Sequence, residues 1–118
     1  MKRRMISLAA LLLLLMSMSV NTAMAAANIV DADPELTISG TKANCYVDCV
    51  SDDPSDKLSV TLTLWCGESI VDTWSDSGTG SVTIDEDCTV VRGNTYRLVM
   101  IYRINGVLQP QVSVSANS

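Results

Sequence analysis

The sequence predicts an all-β chain: a single antiparallel β-sandwich of about seven strands, preceded by a cleaved leader. Three observations carry that expectation. After residue 27 the apolar residues alternate with period two, and no stretch shows the three-to-four spacing of an amphipathic helix. Turn-forming residues recur about every eight to twelve positions. Four cysteines, Cys45, Cys49, Cys66 and Cys88, fall within one short segment, as in small exported domains stiffened by disulfides.

Residues 1–25 read as a signal peptide. Lys2, Arg3 and Arg4 precede an apolar run from Ile6 to Val20, and Asn21-Thr22-Ala23-Met24-Ala25 ends in an Ala-x-Ala site. The run is shorter than the roughly 20 residues a spanning helix needs, so removal after Ala25 and release from the membrane are expected. The mature chain is therefore expected to be secreted. Residues 26–34 form a flexible lead-in and 35–118 the domain. The leader removes three cations, leaving five lysines and arginines against thirteen acids, a net charge of −8. Such a surface repels nucleic acid and anionic membranes.

Within the domain, Glu35–Ser39 reads as a first strand closed by Gly40. Lys42–Val50 is a second, with Ala43, Cys45, Val47 and Cys49 on one face. Ser51–Asp56 is a loop by composition. Leu58–Cys66 is the clearest strand: Leu58, Val60, Leu62 and Leu64 face inward, and Ser59, Thr61, Thr63 and Trp65 outward. Gly67-Glu68 turns the chain, Ser69–Trp74 returns, and Ser75–Gly80 is a second turn region. Ser81–Ile84 is a short strand that leaves the sheet at Asp85-Glu86-Asp87, with Thr89–Val91 extending it. Thr95–Ile104 follows, then Asn105-Gly106, the pairing favoured in type I′ hairpins. Val107–Ser115 runs back, with Pro110 marking an edge or bulge.

The four cysteines are expected to form two disulfides, since their x3, x16 and x21 spacings lack the knuckles of a zinc site. An unbroken strand over 43–50 would hold Cys45 and Cys49 about 13 Å apart, forcing each to reach Cys66 or Cys88. A turn at Tyr46-Val47-Asp48 would instead allow Cys45–Cys49 and Cys66–Cys88. The second pairing is preferred here, because Cys66 and Cys88 both close strands running to the same end.

Val90-Val91-Arg92-Gly93-Asn94-Thr95-Tyr96-Arg97-Leu98 resembles the tyrosine corner of immunoglobulin-like sandwiches, in which a Gly turn precedes a Tyr opening the next-to-last strand. The resemblance implies that Tyr96 turns inward and bonds its hydroxyl to backbone near the turn. That strand carries no Cys, which sets the chain apart from antibody domains. Together with Leu62-Thr63-Leu64-Trp65 and Trp74, the pattern is similar to the small Ig-like proteins exported by Gram-positive bacteria. That similarity implies a fold and a compartment, and no activity.

The chain contains no histidine, which excludes Ser-His-Asp and Cys-His catalysis and His-bound zinc. No nucleophile motif or cleft-forming element is present, so a non-enzymatic role without cofactor is expected. The acidic groups Asp31-x-Asp33-Pro34-Glu35, Asp52-Asp53-x-x-Asp56 and Asp85-Glu86-Asp87 have no calcium-loop spacing and read as a solvated surface. Strand parity then nominates a binding face. With Thr61 opposite Trp74 and Trp65 opposite Ile70, the residues Trp65, Ile70, Trp74, Val99 and Ile101 form an outward apolar stripe flanked by Arg97 and Arg103. Trp and Arg are favoured anchors of protein contacts. The partner is expected to be another protein or a second copy packed face to face. The alternative is a disulfide-stiffened inhibitor of a foreign hydrolase, acting through loop 51–57 or 75–80.

Overall fold

The computed structural model describes residues 29–118; the expected signal peptide lies outside them. Nine strands run in the order β1 (Ile29–Asp31), β2 (Glu35–Ser39), β3 (Lys42–Ser51), β4 (Lys57–Cys66), β5 (Ser69–Thr79), β6 (Ser81–Thr89), β7 (Thr95–Ile104), β8 (Val107–Leu108) and β9 (Val112–Asn117). All pairings are antiparallel. In the first sheet β3 is central, with β6 along one side and β2 and β1 sharing the other. In the second, β4 lies between β5 and β7, and β7 pairs on its far side with β9 and β8. The two sheets form a β-sandwich, as the alternation predicted.

The core is the meeting of their inner faces. Ala43, Cys45, Val47 and Cys49 of β3 face Leu58, Val60, Leu62 and Leu64 of β4 and Leu98, Met100 and Tyr102 of β7, all buried. Val82 and Ile84 of β6 close one side. Odd and even positions part cleanly because a period of two sends alternate side chains to opposite faces.

Five expectations are corrected. Residues 29–31 of the expected lead-in form β1, a short strand on the end of β3. Segment 75–79 is no turn: β5 continues through it, and the chain changes sheet only at Gly80. There φ is +82°, and a Cβ would stand 3.0 Å from the Pro54 carbonyl oxygen, so the tight crossing needs glycine. β6 does not leave its sheet at Asp85-Glu86-Asp87; it pairs with β3 through Thr89. The last run is split into β8 and β9 around Gln109-Pro110-Gln111, since proline supplies no ladder N–H. Finally, β3 is continuous, so Cys45 and Cys49 stand four residues apart on one strand and the preferred Cys45–Cys49 bond is ruled out by distance.

The two predicted turns with special geometry are present. Asn105 and Gly106 both take positive φ, 51° and 83°, as a type I′ hairpin requires. Tyr96 is 2% exposed; its hydroxyl accepts from the Val91 N–H at 2.7 Å and donates to the Val91 carbonyl at 3.2 Å.

The ends of the strands are tied by a polar knot. The Asp56 carboxylate, 5% exposed, accepts from the Ser51 hydroxyl and, at 2.9 Å, from the Asn105 amide. Asn105 in turn accepts from the Lys57 N–H at 2.9 Å, and the Gly80 N–H donates to the Asp56 carbonyl at 2.8 Å. Loop 51–57, the sheet crossing and the Asn105 hairpin are thereby one unit.

Candidate functional site

The outer face of the β5–β4–β7–β9 sheet is built on β4 and β7. Their register sets Trp65 opposite Arg97, Thr63 opposite Val99, Thr61 opposite Ile101 and Ser59 opposite Arg103. Directly opposed residues share a face, so these eight side chains project outward together. The Arg97 guanidinium carbon lies 6.0 Å from the centre of the Trp65 ring, within reach of a cation–π contact. Trp65 is half-buried, Ile101 is 42% exposed and Ile70, at the hairpin end, 57%. Val99 belongs to this face but is only 5% exposed, on a central strand between Thr63 and Ser113. On the β5 side the face is lined by hydroxyl pairs, Thr63–Thr73 at 3.0 Å and Thr61–Ser75 at 2.9 Å.

Six of the seven nominated residues are therefore on one surface, and Trp74 is not. It stands opposite Leu62, on the inner face, and packs partly buried against the core. The cause is a β-bulge. From Trp65↔Ile70 the register moves to Leu64↔Asp72, leaving Val71 unpaired. One extra residue inverts every later side chain of β5. The expected partner of Trp74, Thr61, is opposite Ser75 instead.

The inversion gives Trp74 another place. A groove of about 390 Å³ opens between the edges of β5 and β6, with Trp74 and Ile84 along its floor and Asp76, Asp85 and Glu86 at its rim.

Charge is divided between the two outer faces. Lys57, Arg97 and Arg103 project from the β5–β4–β7–β9 face, and no outward strand position there carries a carboxylate among the described residues. The opposite face, on β2, β3 and β6, presents Glu35, Asp48, Asp85 and Asp87 around Tyr46, with Lys42 its one strand cation. Lys42 is 3.2 Å from Asp87. Asn44 donates to both Asp85 and Asp87 at 2.8 Å, and Thr83 to Asp48 at 2.9 Å. The Asn44 and Lys42 contacts hold the Asp87 carboxyl below its ordinary value. Partial burial, then the charges of Asp48, Glu35, Asp85 and Asp31, push the Tyr46 hydroxyl up. The sequence places Glu35 and the Asp85-Glu86-Asp87 run in separate acidic groups and leaves Asp48 outside both. The signal that joins them is parity: Asn44, Tyr46 and Asp48 occupy the polar positions of a strand whose odd positions are core.

All four cysteines are thiols in this structure. Cys45 and Cys88 are diagonal neighbours on the inner face, since Cys45 is opposite Glu86 and Cys88 opposite Ala43. Cys49 sits at the Ser51 end of β3, whereas Cys66 ends β4 far from the 51–57 connection, so those two cannot pair and the expected pair of disulfides is not formed. Burial, chiefly, pushes the Cys45 thiol up to about 12 and Cys49 to about 11. Among the described residues no group of three or more Cys, Asp or Glu side chains converges on a metal position.

Comparison of the sequence with protein-family models and with curated proteins finds no match.

Proposed function

We propose that this chain is a secreted, non-enzymatic, immunoglobulin-like interaction module that binds a protein partner through the Trp65 face. The observation that carries the reading is the joint outward register of Trp65, Arg97, Val99, Ile101 and Arg103, an aromatic and apolar strip with cations at both ends. Apolar patches of this make-up, rimmed by polar groups, mark contact surfaces, and Trp and Arg supply most of the energy where they occur. The strand order β6–β3–β2 against β5–β4–β7–β9 and the Tyr96 hydroxyl on Val91 support the immunoglobulin-like assignment. In the exported form, the diagonal placement of Cys45 and Cys88 on neighbouring strands favours a bond between those two. Segment 75–79 is strand and offers no loop, so the alternative of an inhibitor acting through a loop falls to segment 51–57, which the Asp56 knot holds.

The test uses partner capture from the native secretions. Trp65→Thr with Ile101→Thr should abolish capture, and Ser55→Arg, in the loop, should leave it unchanged. Loss of capture with Ser55→Arg alone would overturn the reading.

A further inference from the structure

We infer that copies of this chain stack head to tail, the Trp65 face of one seated on the acidic β2–β3–β6 face of the next. The inference rests on the reading of the Trp65 face as a contact surface, and names its occupant. Its basis is the division of charge between the two outer faces. A symmetric pair, Trp65 face on Trp65 face, would bring Lys57, Arg97 and Arg103 against their own copies, and like charges in contact oppose binding. Turning the second copy over places the same three cations against Glu35, Asp48, Asp85 and Asp87. The ring of Tyr46 stands at the middle of those acids, where it can meet the Trp65–Ile101 strip.

The smaller, acidic face limits the contact. The acidic face is three strands across, with β2 and β1 sharing one side, and the Trp65 face is four, so their overlap is at most a plate roughly 14 Å by 33 Å, in the size class of weak encounters. Association is therefore weak and concentration-dependent. Because two different faces meet, each addition leaves a free acidic face and a free cationic one, so growth is open-ended and not limited to a dimer. The net charge of −8 expected after leader removal repels at long range, but at physiological ionic strength that repulsion is screened beyond about 8 Å, while groups in contact are screened less.

The test is sedimentation velocity over a concentration series of the protein recovered from the medium of expressing cells. The unmodified chain should show a rising, non-saturating sedimentation coefficient. Arg97→Glu with Arg103→Glu makes both faces acidic, and Asp48→Lys with Asp85→Lys cancels the charge of the acidic face, leaving Asp31, Glu35 and Asp87 against Lys42 and the two new lysines. Each double variant alone should lose roughly a hundredfold in association, and mixing the two should restore it. If reversal unfolds either variant by circular dichroism, the neutral pairs Arg97→Gln/Arg103→Gln and Asp48→Asn/Asp85→Asn replace them, each expected to weaken association. A monomer at every concentration overturns the stacking. So does association that survives Asp48→Lys/Asp85→Lys but not Arg97→Glu/Arg103→Glu, a result that keeps the Trp65 face and gives it another occupant. Failure of the Trp65 face itself is read separately, from capture that survives Trp65→Thr with Ile101→Thr.

Discussion

The Asp56 knot sets a measurable price on one side chain. Replacing Asn105 with glycine keeps the positive φ of the hairpin, since glycine adopts 51° freely, and deletes only the side chain's bonds. Two are lost: the amide donated to the Asp56 carboxylate and the carbonyl that accepts from Lys57. A bond to a charged group is worth about 1.5–3 kcal/mol and a neutral one about 1. The loss should come to roughly 2–4 kcal/mol, because Asp56 stays buried with one donor fewer. For a domain of this size each kcal/mol moves the melting temperature by about 4–8 °C, so a fall of roughly 8–32 °C is expected. Asn105→Ala should cost about 1 kcal/mol more, since alanine also resists the left-handed backbone. Urea unfolding followed by tryptophan fluorescence reads both. An Asn105→Gly chain within about 0.5 kcal/mol of the parent would refute the knot as a stabilising unit, that being the scatter of an ordinary surface substitution.

Three further outcomes follow from the geometry. Tyr96→Phe removes the hydroxyl that serves both backbone groups of Val91 and should cost about 1–3 kcal/mol in the same assay. Non-reducing peptide mapping of the oxidised protein should return a Cys45–Cys88 link and no Cys45–Cys49 link; the latter would contradict a continuous β3. In the reduced chain the Cys45 and Cys49 thiols lie above their ordinary 9.0, so the folded state holds protons that the unfolded state gives up; stability is whole below pH 9 and declines as pH rises toward 12, which urea midpoints on either side of pH 9 would detect, Cys45→Ala with Cys49→Ala weakening the dependence.

Most of the strands could be read from the chain because burial writes itself into alternation. β4 and β7 are the clearest, each carrying a buried residue at every even position from 58 to 64 and from 96 to 104. What alternation does not carry is a change of phase. The unpaired Val71 leaves no mark that distinguishes it from an ordinary strand residue; its only trace is that Trp74 falls on the wrong parity for an exposed position. β5 and β6 were read too short for a related reason. They are sheet edges, open on one side, so Asp72, Asp76 and Glu86 can occupy core-parity positions while remaining in water, and the polar runs resemble turns.

The same bulge bears on how the Trp65 face works. Had β5 kept its phase, two indoles would lie on one surface, a patch apolar enough to invite indiscriminate association. The inversion instead aligns Thr73 and Ser75 with Thr63 and Thr61, and their hydroxyls satisfy one another along the β5 margin. Apolar contact thus runs along the face from Ile70 and Trp65 past the sunken Val99 to Ile101 and Leu108, and it is bracketed by Arg97 and Arg103. A band that is interrupted where Val99 is buried supplies modest affinity without charge complementarity, so the arginines decide which surface can sit there. That is why exchanging charges, rather than truncating the apolar strip, is the more discriminating experiment on partner choice.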